Sequence, residues 1–515
     1  MLLYKDFPLQ SNVVIIYLQC QIWCIFTLKI MEVGEPKNSN QIGIFDTPYR
    51  ALTIGIMLVL TTVAFEGLAI TTIAPKLAQS LQGIHLYGWI FSAFLLSQLV
   101  GTLFMGQQVD KRGVFTSMLV SFSIFVLGIV VAAVSFDMPM LIAGRVLQGF
   151  GAGALITCVY ASVTLHYPDA LRTQILAAFS MAFFLPSLIG PYVAGLIASY
   201  ISWRFVFWIV LPLLVLALSL TFRSFRDLQL RQALTGPAQT GSAQLADPKV
   251  IRAILLAIGT GLLLTGLGMI TDWKGIVLTL GGLFVMIPLL RKLMPIGTFS
   301  VKKGLPATLV SRGLYVACYF ATESFVILAL TEVKGVSAEF AGLLVAAGSL
   351  SWSAAAWLQA KLDARDHGRG RKRRVMLGIG IMIAGTVLVI LALLLSGDGI
   401  MLFLLSQLIT GFGVGLANPT TGTIALQHAE PGNEGEVSAT LQFVDSFCMG
   451  VSIGVSGAVI ALAETLQWGI SAGVLIVLTL QLVFVLLSFL ASIRITELGH
   501  QEHHPTGHAQ DKLPM

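Results

Sequence analysis

From residue 51 to residue 492 the chain is a succession of apolar runs separated by short polar breaks. A helix that crosses the hydrocarbon core of a bilayer needs about 20 mostly apolar residues, because the core is about 30 Å thick and a helix rises about 1.5 Å per residue. Fourteen segments meet that requirement: 51–73, 86–105, 114–135, 139–162, 172–199, 203–221, 250–270, 275–290, 306–330, 337–360, 375–396, 399–425, 438–462 and 467–492, of which 275–290 is the shortest. Lipid offers no partner to a backbone N–H or C=O, so each segment is predicted to be helical. The predicted class is all-α, a polytopic membrane protein with 14 spans and no room for a soluble domain between them. Of the 515 residues only 11% are charged, against about 25% in soluble domains. That deficit excludes a disordered chain, a nucleic-acid binder and an ordinary cytosolic enzyme.

The basic residues give the orientation. With residue 50 placed in the cytoplasm, 23 Lys and Arg fall on inward segments and 4 on outward ones, Lys76, Arg204, Lys274 and Lys334. Cytoplasmic loops carry an excess of Lys and Arg. The expected location is therefore the inner (plasma) membrane, with both termini cytoplasmic, and the same rhythm checks the number of spans. The apolar run Val13–Ile30 ahead of these spans lacks a clearly basic start and a small-residue cleavage site. Met31 opens an ordinary polar tail, and the working protein is expected to start near it.

Six spans precede a Gly-, Pro-, Ser- and Ala-rich polar stretch, two follow it, and six more complete the chain. This divides the sequence into an N-terminal segment (1–50), a six-helix bundle (51–221), a cytoplasmic linker (222–249), an inserted helix pair (250–304), a second six-helix bundle (305–492) and a cytoplasmic tail (493–515). The loops GQQVDKRG (106–113) and KLDARDHGRGRKRR (361–374) occupy equivalent places in the two bundles, and both are short, basic and Gly-containing. Transporters are commonly built from such repeats, with the substrate site near the midplane between the halves.

Ionisable groups inside the membrane are costly, which makes each one a functional hypothesis. Five stand out: Glu66, Arg145, Arg312, Glu323 and Asp445. Glu66 and Arg145 lie at similar depth in spans 1 and 4 and are expected to approach each other. A carboxylate balanced between desolvation and a nearby cation can load and release a proton; a fixed structural ion pair is the alternative. In span 9, Arg312, Tyr315, Tyr319 and Glu323 recur every three or four residues and so share one helical face. That face is expected to line a cavity, with the aromatics available to stack on an apolar or cationic ligand and Glu323 either a second proton site or a cation-binding carboxylate; a structural network with span 10 or 13 is the alternative. Asp445, in span 13 among Gly450, Gly454 and Gly457, is a further proton-coupling candidate.

Four motifs in order make the chain resemble the major facilitator superfamily, and in particular its fourteen-span drug:proton antiporter branch. Span 1 carries Glu66 nine positions before Pro75, where the branch usually has Asp. The loop after span 2 presents Gly106, Asp110, Lys111 and Gly113, with Val114 and Phe115 where further basic residues are usual. Span 4 presents Arg145, Gln148, Gly149 and Gly151. Span 5 presents GPYVAG, with Gly190, Pro191 and Gly195, and Ala194 in place of a second glycine. The glycines are suited to close helix contact, and Gly190-Pro191 removes a backbone donor and favours a kink that seals one side of the cavity. Asp110 is placed to accept from a neighbouring helix N-terminus, with a solvated loop carboxylate as the alternative.

The resemblance implies two six-helix bundles of major facilitator type plus the inserted pair, and alternating access driven by the proton gradient. The implied function is export of an amphipathic or lipophilic small molecule such as a drug. Export of an endogenous metabolite, lipid or siderophore, or a membrane-embedded lipid-modifying activity, are the alternatives. The expected partners are that substrate, protons and the bilayer, with no nucleic acid, and the protein is expected to be a monomer. No cofactor is expected. The five cysteines show no CxxC pair or zinc spacing, so no metal site is predicted. No GxxxxGK[ST] loop is present, which excludes direct ATP use through that motif.

Overall fold

The computed structural model describes residues 43–47, 49–235, 248–366, 368–395, 399–429 and 434–497. Among them the structure is helical, with no strand. Fourteen long helices follow one another: α1 (Arg50–Ser80), α2 (Trp89–Arg112), α3 (Val114–Ala133), α4 (Met138–His166), α5 (Asp169–Tyr200), α6 (Val210–Thr235), α7 (Pro248–Gly268), α8 (Trp273–Leu293), α9 (Leu305–Leu328), α10 (Ala338–Arg365), α11 (Arg371–Leu394), α12 (Ile400–Gln427), α13 (Glu434–Thr465) and α14 (Ile470–Ser492). Thirteen rods carry a described apolar stretch long enough to cross a membrane. The remaining one, α5, has 32 residues, and its described apolar stretch is the shorter Ile189–Tyr200.

Most helices outrun their apolar stretches, because backbone hydrogen bonding continues into the interfacial layers after hydropathy has fallen. Thus α1 runs on to Ser80 and α4 to His166. Span 6 is interrupted at Ile209, between a short helical segment (Trp203–Trp208) and α6. Pro212 accounts for the break: it has no N–H to give to the carbonyl of Trp208, and its ring crowds that carbonyl. The linker expected at 222–249 is helical at both ends, since α6 reaches Thr235 and α7 begins at Pro248. The apolar run at 13–30, the rest of the N-terminal segment up to residue 42, residues 236–247 and the tail beyond residue 497 lie outside the described residues.

In the first bundle α4 packs between α2 and α3, and α1 packs on α5 and α6. In the second, α12 packs on α10 and α11, and α9 packs on α13 and α14. Gly149 and Gly151 explain the first sandwich. A Cβ on Gly149 would lie 2.1 Å from the Phe94 carbonyl oxygen on α2, and one on Gly151 would lie 2.7 Å from Phe125 on α3. The bundles meet along two seams, α5 against α10 and α2 against α13. Small residues again set the approach: a Cβ on Gly195 would lie 2.6 Å from the Glu339 Cα, and one on Gly88 would lie 2.7 Å from the Gly457 Cα. Gly195, Gly88 and Gly457 lie toward the ends of the bundles opposite the basic loops at 106–113 and 361–374. The inserted helices α7 and α8 pair with each other, and α7 also touches both α2 and α13.

Candidate functional site

The first intramembrane centre joins α1 to α4. Glu66 and Arg145 are each 2% exposed, and the Arg145 guanidinium donates to Glu66 Oε1. The same guanidinium donates to Gln148 Oε1 at 2.9 Å and, through Nε, to the Ile90 carbonyl at 2.9 Å on α2. It also lies 4.3 Å from the centroid of the Phe94 ring, a cation–π contact in a dry setting. Arg145 is therefore fixed by three helices. Glu66 is not fully engaged, since its Oε2 and the Gln148 Nε2 are buried without a hydrogen-bond partner. An unmet buried polar atom of this kind is costly. It leaves one carboxylate oxygen able to take a proton while the other stays on Arg145.

The second centre joins α9 to α13 and α12. Arg312 holds Asp445 through two hydrogen bonds, Nε to Oδ1 at 2.8 Å and a terminal nitrogen to Oδ2 at 2.7 Å. Its other terminal nitrogen donates to the Asn418 carbonyl at 2.9 Å and to Thr421 Oγ1 at 3.1 Å. The Tyr315 hydroxyl lies 2.6 Å from Thr421 Oγ1. The Arg312 side chain is 10% exposed and that of Asp445 27%. Bidentate Arg–carboxylate pairs are among the stronger polar contacts, so this centre braces the second bundle from within.

The shared face of span 9 thus divides its work. Arg312 and Tyr315 join the brace, whereas Tyr319 sets its ring edge-on to Trp352 of α10 at 5.2 Å between centroids. Glu323, one turn further along, is buried and has no hydrogen bond or ion pair among the described residues. The arrangement therefore contains one partnered carboxylate with a free oxygen, Glu66; one fully engaged carboxylate, Asp445; and one unpartnered carboxylate, Glu323.

The remaining motif residues are spread along the helices. Gly113 ends α2 and begins α3 with φ of 82°, a conformation suited to glycine. Lys111 is exposed at that turn, and the side chain of Asp110 lies outside the described residues. Gly106 has room, since an added Cβ would meet only the Thr157 methyl at 4.0 Å. Gly190 and Pro191 sit within α5, which runs continuously past the proline, so no helix break occurs there. Gly195 stands at the α5–α10 seam.

Sequence reasoning missed two features. One is the specific pairing of Arg312 with Asp445, which the sequence raised only as an alternative network between span 9 and span 10 or 13, together with the Asn418–Thr421 cradle, for which the polar NPTT interruption of span 12 was an available signal. The other is a set of polar ties between the bundles. Gln79 of α1 donates to Glu332, which follows α9, and Ser199 of α5 donates to Glu339 of α10 at 2.6 Å. Both ties lie at the end opposite the basic loops. There they border a shallow cavity of about 430 Å³ that Lys76 also lines.

Comparison with known proteins places this geometry. The Major Facilitator Superfamily profile matches residues 54–454. The MFS-type transporter pydD of Acremonium sp is 26% identical over 437 residues, covering 80% of this chain and 73% of that protein. Multidrug resistance protein 3 of Bacillus subtilis (strain 168) is 22% identical over 425 residues, covering 80% and 79%. Among solved structures, a peptide transporter POT in complex with sulfate superposes with a TM-score of 0.62 at 17% identity, over 88% of this chain and 96% of the other. A D-xylose-proton symporter gives 0.59 at 14% identity, over 88% and 99%. At such identities the structural likeness is one of fold, while the sequence match carries the assignment: this chain is a multi-pass membrane transporter that belongs to the Major Facilitator Superfamily.

Proposed function

We propose that the protein is a proton-coupled antiporter that exports amphipathic or lipophilic small molecules across the plasma membrane by alternating access. The observation that carries this reading is the Glu66–Arg145 pair, in which one buried carboxylate oxygen is held and the other is unmet. A proton added at Oε2 removes the charge of Glu66 and releases Arg145 toward Gln148 and the Ile90 carbonyl, its standing partners. That change alters the tie between α1 and α4 and couples proton occupancy to helix packing. Glu323 is the second candidate proton carrier, and with Tyr319 and Trp352 it provides a surface for an apolar or cationic substrate. Asp445 has a bracing role in this scheme, because both of its oxygens are occupied by Arg312.

The bundles are closed together at the end away from the basic loops. With the basic loops cytoplasmic, closure at this end is the closure that an inward-facing state requires, and in that state substrate enters from the cell interior or inner leaflet. The protein works as a monomer, with Gly195 at the α5–α10 seal. That one relative bears the name multidrug resistance protein supports the substrate class.

The test is transport by the purified protein in proteoliposomes carrying an imposed pH gradient, with a lipophilic dye as reporter. Wild type moves dye against protons. Glu66→Gln, nearly isosteric, retains dye binding but loses the response to the gradient. Gradient-driven transport at the wild-type rate in that variant would overturn the proton role of Glu66.

A further inference from the structure

At the basic end of the molecule, α8 runs into an irregular segment, 294–304, before α9 begins. Its apolar side chains point the wrong way for a water-facing loop: Ile296 is 94% exposed and Phe299 55%. Around them stand four exposed cations, Arg291 and Lys292 at the end of α8 and Lys302 and Lys303 just before α9. Between Asp272 and Glu323 the sequence contains no Asp or Glu, so nothing within that stretch neutralises them. The Arg291 guanidinium lies 5.9 Å from the centroid of the Phe299 ring.

The segment is also pinned in place. The Lys302 N–H donates to the Gly297 carbonyl at 3.1 Å, and the Thr298 hydroxyl donates to the Pro295 carbonyl at 2.7 Å. A fifth cation, Arg494, reaches across from the chain after α14 and donates to the Val301 carbonyl at 3.2 Å. On that same stretch, Glu497 accepts from the backbone N–H of Lys372. In the neighbouring α8 only 11% of an 18-residue apolar stretch is buried against protein, so its flank is open to acyl chains.

We propose that segment 294–304, together with Arg291 and Lys292, is a docking surface for anionic phospholipids of the leaflet at the basic end. Ile296 and Phe299 enter the acyl boundary, the lysines and Arg291 take the headgroup phosphate, and the acyl chains lie along α8. An Arg fork suits a phosphate, and basic side chains beside a membrane are attracted to its anionic lipids. The docked lipid sits at the foot of the inserted helix pair. The proposal rests on membership of a membrane transporter family and not on proton coupling.

The experiment is a lipid titration of the purified full-length protein by native mass spectrometry, with phosphatidylglycerol compared with phosphatidylcholine. Each basic residue near an anionic surface contributes about fivefold in binding. Arg291→Gln/Lys302→Gln/Lys303→Gln should therefore weaken phosphatidylglycerol binding by about a hundredfold at the additive limit and leave phosphatidylcholine unchanged. Ile296→Ser/Phe299→Ser keeps the charge and should still weaken it by roughly tenfold, through lost apolar burial. Soluble glycerol phosphate, which has the headgroup chemistry without acyl chains, should fail to displace the lipid. Wild-type preference for phosphatidylglycerol in the triple variant would overturn the proposal. So would unchanged binding in the double variant, or displacement by glycerol phosphate at concentrations comparable to the lipid.

Discussion

The α5–α10 seam offers a quantitative handle on which way the transporter faces. At Gly195 a Cβ would come within 2.6 Å of the Glu339 Cα and 2.9 Å of the Ala338 carbonyl oxygen. These are backbone atoms and cannot rotate aside. Gly195→Leu must therefore push α5 off α10, and overpacking of this kind costs about 1–3 kcal/mol. The strain exists only while the seam is closed, so it falls on one of the two states. It should shift the equilibrium toward opening at that end by about 5- to 150-fold. Pulsed electron–electron resonance reads this directly, with spin labels at Tyr200→Cys and Phe340→Cys in a background lacking the native cysteines. The wild type should give a short distance, and Gly195→Leu a longer one with increased population. Gly106→Ala is the control, because its added methyl would meet only a side-chain methyl at 4.0 Å; it should leave the distribution unchanged. Identical distributions for Gly195→Leu and wild type would refute the claim that close backbone approach holds this end shut.

The two ion-pair centres should respond differently to the loss of one partner. Arg145→Met leaves Glu66 as a buried, unpaired carboxylate, for which the expected cost is about 3–5 kcal/mol, visible as a lowered thermal unfolding temperature in detergent. Adding Glu66→Gln to that variant should restore part of the loss; no recovery would mean that Arg145 acts through packing on Phe94 and not through charge. Asp445→Asn removes the charge from a bidentate contact whose carboxylate is already 27% exposed. Its cost should be about 1.5–3 kcal/mol, smaller than that of Arg145→Met in the same unfolding assay.

What could be read ahead of the structure follows from what a bilayer enforces. The hydrocarbon thickness imposes a run length, so the number and succession of the helices were legible in the sequence. The meeting of Glu66 with Arg145 was legible for a similar reason: both depths can be counted from the same interface. Arg312 and Asp445 also sit at countable depths, but a network of span 9 with span 10 or 13 could be raised only as an alternative, because nothing local indicates which two helices of a bundle are neighbours. Helix ends were underestimated at α1 and α4 because hydropathy registers the lipid-facing part of a helix and not its hydrogen bonding. Pro212 carried the information for the break at Ile209, masked by the apolar residues on either side. The seat of α7 against both bundles left no trace in the sequence, since contacts between apolar helices are made by ordinary Leu, Gly and Ala.

That seat makes the outline of the molecule unequal. The two bundles meet along two lateral joints, and the helical hairpin is laid over one of them, α2 with α13, while no described helix covers the other, α5 with α10. A greasy compound sliding in sideways from the bilayer would find the first doorway shuttered and the second bare. Any rocking of the bundles must likewise drag or slip past a passenger clamped to both of them.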